Sequence, residues 1–176
     1  MIFPASWART ERPSKSSSTI TRVIADGSAF TDFTVGQGPT SVAVDSADNV
    51  WSANYYANSL GLVSSAGTVL SGSGYTGGGL NAPRAIAVDG SGNTWIASEH
   101  GTTLAEFAAA SSTNPGQLLS PITGWGADAK LVEPYSLAID SAGNLWVSNY
   151  GSNTLTEFIG LAAPVKTPLL GPVRVP

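Results

Sequence analysis

A chain of 176 residues with 42% hydrophobic side chains and five Trp can bury a core, which excludes a disordered polymer. Only 11% of residues are charged and the net charge is −4, so the clustered basic patch needed by nucleic acid or an anionic membrane surface is excluded. The absence of Cys excludes disulfides and thiolate metal sites, and no apolar run is long enough to span a bilayer.

Residues 1–18, MIFPASWARTERPSKSSS, read as an irregular N-terminal segment. They lack the continuous apolar stretch of a secretory signal, and Pro4 and Pro13 break any strand pattern. Residues 19–36 hold part of a repeat, with one strand around Ile20 and a second at 30–35. Three complete copies follow, in residues 37–80, 81–131 and 132–170, before a short tail at 171–176. Their best segments align without a gap: PTSVAVDSADNVWSANYYANSL from Pro39, PRAIAVDGSGNTWIASEHGTTL from Pro83 and PYSLAIDSAGNLWVSNYGSNTL from Pro134. The starts lie 44 and 51 residues apart, and the polar, turn-like SSTNPGQ at 111–117 accounts for the longer spacing.

Each copy reads as a four-stranded antiparallel unit. The first strand (SVAVD, AIAVD, SLAID) is apolar on both faces, as expected of a sheet covered on both sides. An Asp-x-x-Gly-Asn turn follows in two copies. Its fourth position calls for a positive φ, which Gly92 and Gly143 adopt freely and Asp48 can tolerate. The second strand carries Trp51, Trp95 or Trp146, expected to pack between units, with Trp51 and Trp146 nearer to open ends. The third strand is LGLV, LAEF or LTEF, and the fourth is placed at TVLSG, QLLSPI and KTPLL. Glu106 and Glu157 read as solvated edge residues that discourage sheet-to-sheet pairing. Such a unit cannot bury both faces alone, whereas stacking units around an axis does so. The fold class expected is therefore all-β: a partial β-propeller of about three four-stranded blades plus part of a fourth.

The pattern P-x-x-[IVL]-A-[VI]-D-x-x-G-N-x-W resembles the NHL-repeat family and the related virginiamycin B lyase-like bacterial propellers, over roughly residues 19–170. The resemblance implies a ring of six or seven blades, of which this chain carries about half. It implies two origins for the half ring: a truncated product of a longer gene, or two copies joined as a homodimer. The Ser, Thr, Asn and Gly richness and the scarcity of Lys resemble exported bacterial proteins, giving an extracytoplasmic expectation.

In propellers of this kind one face of the ring carries the ligand. The loops after the second strand bring Tyr55 and Tyr56, Glu99 and His100, and Tyr150 to it. The positions after the repeat Pro bring Thr40, Arg84 and Tyr135. Aromatic rings supply stacking area, and Arg84 could hold a carboxylate or phosphate. The expected ligand-binding set is therefore Tyr55, Tyr56, Arg84, Glu99, His100, Tyr135 and Tyr150, for a small molecule or a protein partner. The leading expectation is a non-catalytic binding module without cofactor. The alternative implied by the resemblance is a carbon–oxygen lyase in which His100 acts as base with Glu99 and Mg2+. Neighbours in sequence on an extended backbone, Glu99 and His100 point to opposite sides, and no second His completes such a site. The Asp-x-x-Gly-Asn turns lack the alternating oxygen ligands and bidentate Glu of a calcium loop, so no metal site is expected.

Overall fold

The computed structural model describes residues 17–165. Eleven strands form four antiparallel sheets, and one three-residue 3-10 turn is the sole helical element among these residues. β1 (Thr19–Val23) and β2 (Phe30–Thr34) make a two-stranded sheet. β3 (Pro39–Val44), β4 (Val50–Asn54) and β5 (Ser59–Val63) make the first complete blade. β6 (Pro83–Val88), β7 (Thr94–Ser98) and β8 (Leu104–Phe107) make the second. β9 (Pro134–Ile139), β10 (Leu145–Asn149) and β11 (Thr154–Phe158) make the third.

The fourth strand expected at TVLSG and QLLSPI is shorter than the sequence implied. The outer edge keeps isolated bridges, Val63 to Val69 and Leu60 to Tyr75 in the first blade, Phe107 to Leu118 and Leu104 to Trp125 in the second. In the first blade the reason is a turn inside the segment: Gly74 donates to the Ser71 carbonyl, and the Ser71 hydroxyl accepts the Leu62 amide at 3.0 Å. The KTPLL strand, residues 1–16 and the 171–176 tail lie outside the described residues.

The three hairpin turns are built alike. In each, one Asp carboxylate oxygen accepts two backbone amides: Ala47 and Asn49 on Asp45, Ser91 and Asn93 on Asp89, Ala142 and Asn144 on Asp140. Asp48, Gly92 and Gly143 take the positive φ at 59°, 85° and 84°. The Asn side chains explain their place in the repeat. Asn49, Asn93 and Asn144 each accept an amide from just beyond the third strand, from Ser65, Ala109 and Gly160. Each turn is thereby tied to its own blade, and the Asp oxygens serve amide and indole N–H groups.

Packing between blades supplies the core. Trp51, Leu60 and Leu62 of the first blade meet Ile86, Ile96 and Phe107 of the second. Trp95, Ala97 and Leu104 of the second meet Leu145 and Val147 of the third. A smaller cluster of Phe33, Val35 and Val63 joins β2 to the first blade. Alternation along β7 makes this possible, since Trp95 and Ala97 face one neighbour while Ile96 faces the other. Trp51 is as deeply buried as Trp95, contrary to the expectation of an open end, because the following blade and Tyr75 cover it. Trp146 is half-buried, as expected.

Glu106 is a correction. It is half-buried, accepting Asn93 Nδ2 at 3.2 Å and the Trp125 indole N–H at 3.1 Å, and burial raises its pKa despite those bonds. Glu157, at the same offset on the last sheet, is exposed.

Candidate functional site

The entry to each blade is stapled to the loop that leaves its second strand. The residue before the repeat Pro has a positive φ in all three copies: Gly38 at 69°, Ala82 at 55° and Glu133 at 49°. Its carbonyl accepts the first amide after the second strand, from Tyr55 at 2.8 Å, Glu99 at 2.9 Å and Tyr150 at 3.0 Å. A second bond further out joins His100 to Asn81 and Gly151 to Val132, one residue on, and Ala57 to Gln37, two residues on from Tyr55. Two loops per blade are thus fixed against each other, on a left-handed conformation that costs Ala and Glu energy but costs Gly none. At Gly38 there is also no space for a Cβ, which would run into the Tyr56 ring.

A bulge follows at once. Pairing steps from Pro39 to Ser41, from Pro83 to Ala85 and from Pro134 to Ser136, leaving Thr40, Arg84 and Tyr135 as the extra residues. Bulges re-aim side chains. Here Thr40 and Arg84 reach across to the next blade: the Thr40 hydroxyl donates to the Pro83 carbonyl at 3.1 Å, and the Arg84 guanidinium covers the Tyr135 ring at 3.9 Å.

The seven residues expected to line the mouth meet in two adjoining groups. In one, the Tyr55 and Tyr56 rings meet edge-on at 5.1 Å, and Tyr55 Oη lies 3.4 Å from His100 Nε2. In the other, Glu99 forms an ion pair with Arg84, Arg84 stacks on Tyr135, and the Tyr135 and Tyr150 rings lie 5.9 Å apart at 40°. Burial, followed by the charge of Glu99, pushes the Tyr55 hydroxyl pKa up. Burial opposes the charge on Arg84, but contact with Tyr135 and Glu99 outweighs it and holds the guanidinium above its usual pKa. A cavity of about 320 Å³ is bordered by Arg84, Glu99, Glu133, Tyr135 and Tyr150. A second of about 380 Å³ runs inward along Thr40, Arg84, Tyr135 and the inner strands.

Sequence reading missed Glu133. Its signal was positional: it occupies the place of Gly38 and Ala82, one step before the repeat Pro. The expectation that Arg84 could hold an anion is altered by geometry, because Glu99 already occupies it. Glu99 and His100 diverge, one to Arg84 and the other to Tyr55. No group of three or more His, Cys, Asp or Glu that could hold a metal ion occurs among the described residues.

No family model matches the chain, and no curated protein matches it. Solved structures do. A streptogramin B lyase aligns with a TM-score of 0.61 at 17% identity, over 88% of this chain and 50% of that one. Selenomethionine-substituted virginiamycin B lyase from Staphylococcus aureus aligns with a TM-score of 0.58 at 14% identity, over 88% and 51%. Catalytically inactive virginiamycin B lyase from the same organism, solved with quinupristin, aligns with a TM-score of 0.54 at 18% identity, over 81% and 48%. The chain has the all-β propeller fold of these lyases and spans about half their length.

Proposed function

We propose that this chain is a propeller binding module that receives a small molecule or a segment of a partner at the mouth formed by the bulged strand starts. The observation that carries this reading is the convergence of Arg84, Glu99, Tyr135 and Tyr150 around one cavity from two successive blades. Arg84 is held on one side by Glu99 and on the other by Tyr135, so the wall is ordered before any ligand arrives. Preordering of this kind lowers the entropy lost on binding. The tyrosine rings add apolar area with few rotatable bonds and a polar tip for orientation.

Proton-transfer chemistry finds less support. His100 is exposed and its near neighbours are Tyr55 and the loop backbone, so it has no carboxylate to orient it. The likeness to lyases rests on fold, at 14–18% identity over about half of those chains.

A ligand-observed magnetic resonance screen of neutral, cationic and anionic fragments tests the reading. Hits on the parent should be lost in the double variant Tyr135→Ala/Tyr150→Ala, whose side chains lie at the surface and whose melting should stay close to the parent's. Hits that persist in the folded double variant would move the site elsewhere.

A further inference from the structure

We infer that the cavity between Arg84, Glu133, Tyr135 and Tyr150 takes the head of an organic ammonium ligand, an inference that rests on the binding role proposed above. Its volume, about 320 Å³, lies at the lower end of small-molecule sites and suits a compact head group.

Charge selects the class of ligand. Arg84 is the one cation on the cavity wall, and its charge is committed to Glu99 in the only ion pair among the described residues. That pair is neutral as a unit, and Glu133 leaves the wall negative. Lys130, three residues before Glu133, makes no ion pair with it. Within residues 17–165 the cations are Arg22, Arg84 and Lys130, set against a clear excess of Asp and Glu. An incoming anion would have to displace Glu99 from Arg84 and then sit beside Glu133. A cation meets neither obstacle.

The rings favour the same choice. Tyr150 is 70% exposed and its plane is inclined 40° to that of Tyr135, so its outer face is open to the solvent side of the cavity. One face of Tyr135 already carries a cation, the Arg84 guanidinium at 3.9 Å, in the geometry that an ammonium would repeat on Tyr150. The ring quadrupole attracts positive charge, and Glu133 adds a carboxylate in reach of the same space.

The test is calorimetric titration of the full chain with three probes sharing one ring: benzyltrimethylammonium, benzyl alcohol and benzoate. The ammonium is expected to bind most tightly, with affinity falling at least about fivefold in Glu133→Gln and further in Tyr150→Ala. Both residues are exposed, and a matching thermal melt would show that the variants fold. Benzoate binding as tightly as the ammonium, or an unchanged affinity in Glu133→Gln, would overturn the inference. Equal binding of the alcohol and the ammonium, lost in Tyr150→Ala, would overturn the charge selection while leaving the mouth as a binding site. Heat from none of the three probes would remove both.

Discussion

The Arg84 guanidinium carbon lies 3.9 Å from the centre of the Tyr135 ring, so the bulged residue of one blade rests on the bulged residue of the next. Thr40 makes the equivalent step by donating to the Pro83 carbonyl. The line of bulges therefore does two things at once. It links consecutive blades, and it presents side chains at the mouth that regular pairing would have turned into the sheet faces.

The tryptophans should separate by burial. Trp51 and Trp95 are fully covered by the next blade, so Trp51→Ala and Trp95→Ala should each cost about 3–5 kcal/mol. Trp146 is half-buried, and Trp146→Ala should cost roughly half as much. Urea denaturation of the three variants measures this. Equal losses at all three positions would contradict the blade assignment.

Two carboxylates should give opposite pH dependence. Asp140 is held at about 2 by the Asn144 amide and then the Trp146 indole, below its ordinary 3.8. Its contribution is present above pH 3.8 and is lost as pH falls through about 2. Asp140→Asn should therefore narrow the stability gap to the parent on acidification. Glu106 is raised by burial above 4.5, so its ionisation costs stability as pH rises from 4.5 through the folded value. Glu106→Gln should remove that decline, and denaturation of parent and variants at a series of pH values reads both signs.

The two ends of the stack should be adhesive. Leu155 is 63% exposed, whereas Leu60 and Leu104 at the same repeat position are fully buried. Val42 is 54% exposed, whereas Ile86 at its repeat position is buried against the preceding blade. The last blade thus presents the surface that earlier blades bury against their successors. Val42 stays open beside the β1–β2 sheet that covers part of the first blade, and both patches could take up a second copy. Concentration-dependent self-association and hydrophobic dye binding are expected, both reduced in Leu155→Asp and Val42→Asp. A dye-negative monomer at high concentration would contradict this.

His100 should be dispensable. His100→Ala is expected to leave ligand affinity within about tenfold, or 1.4 kcal/mol, of the parent. Chromatographic assay with quinupristin and magnesium should show no lyase turnover. Turnover abolished by His100→Ala would replace the binding reading with the catalytic one.

Much of the fold was legible because its signals are local and repeated. Asp45, Asp89 and Asp140 announce their turns, and the shared offset of Trp51, Trp95 and Trp146 announces a common packing face. Glu106 was misread because its partner Trp125 arrives from a loop well downstream, and nothing near Glu106 in sequence distinguishes it from Glu157. The mouth was legible as a set of residues but not as a set of bonds. The Arg84–Glu99 pair depends on the bulge at Arg84, and the loss of one pairing step leaves no mark on the hydrophobic pattern. The broken outer strand went unseen because Ser71 and Gly74 are common at strand ends as well as within turns.

Soaking crystals with the strongest fragment discriminates between two cavities of contrasting character. One is the mouth bordered by Arg84, Glu133, Tyr135 and Tyr150. The other is an apolar groove of about 310 Å³ along Phe33, Val42, Val44 and Val50. Density for the fragment against Tyr135 and Tyr150, with Arg84 still paired to Glu99, is the predicted result. Density confined to the groove beside Val42 and Val44 would contradict the account and make the mouth a purely structural junction between blades.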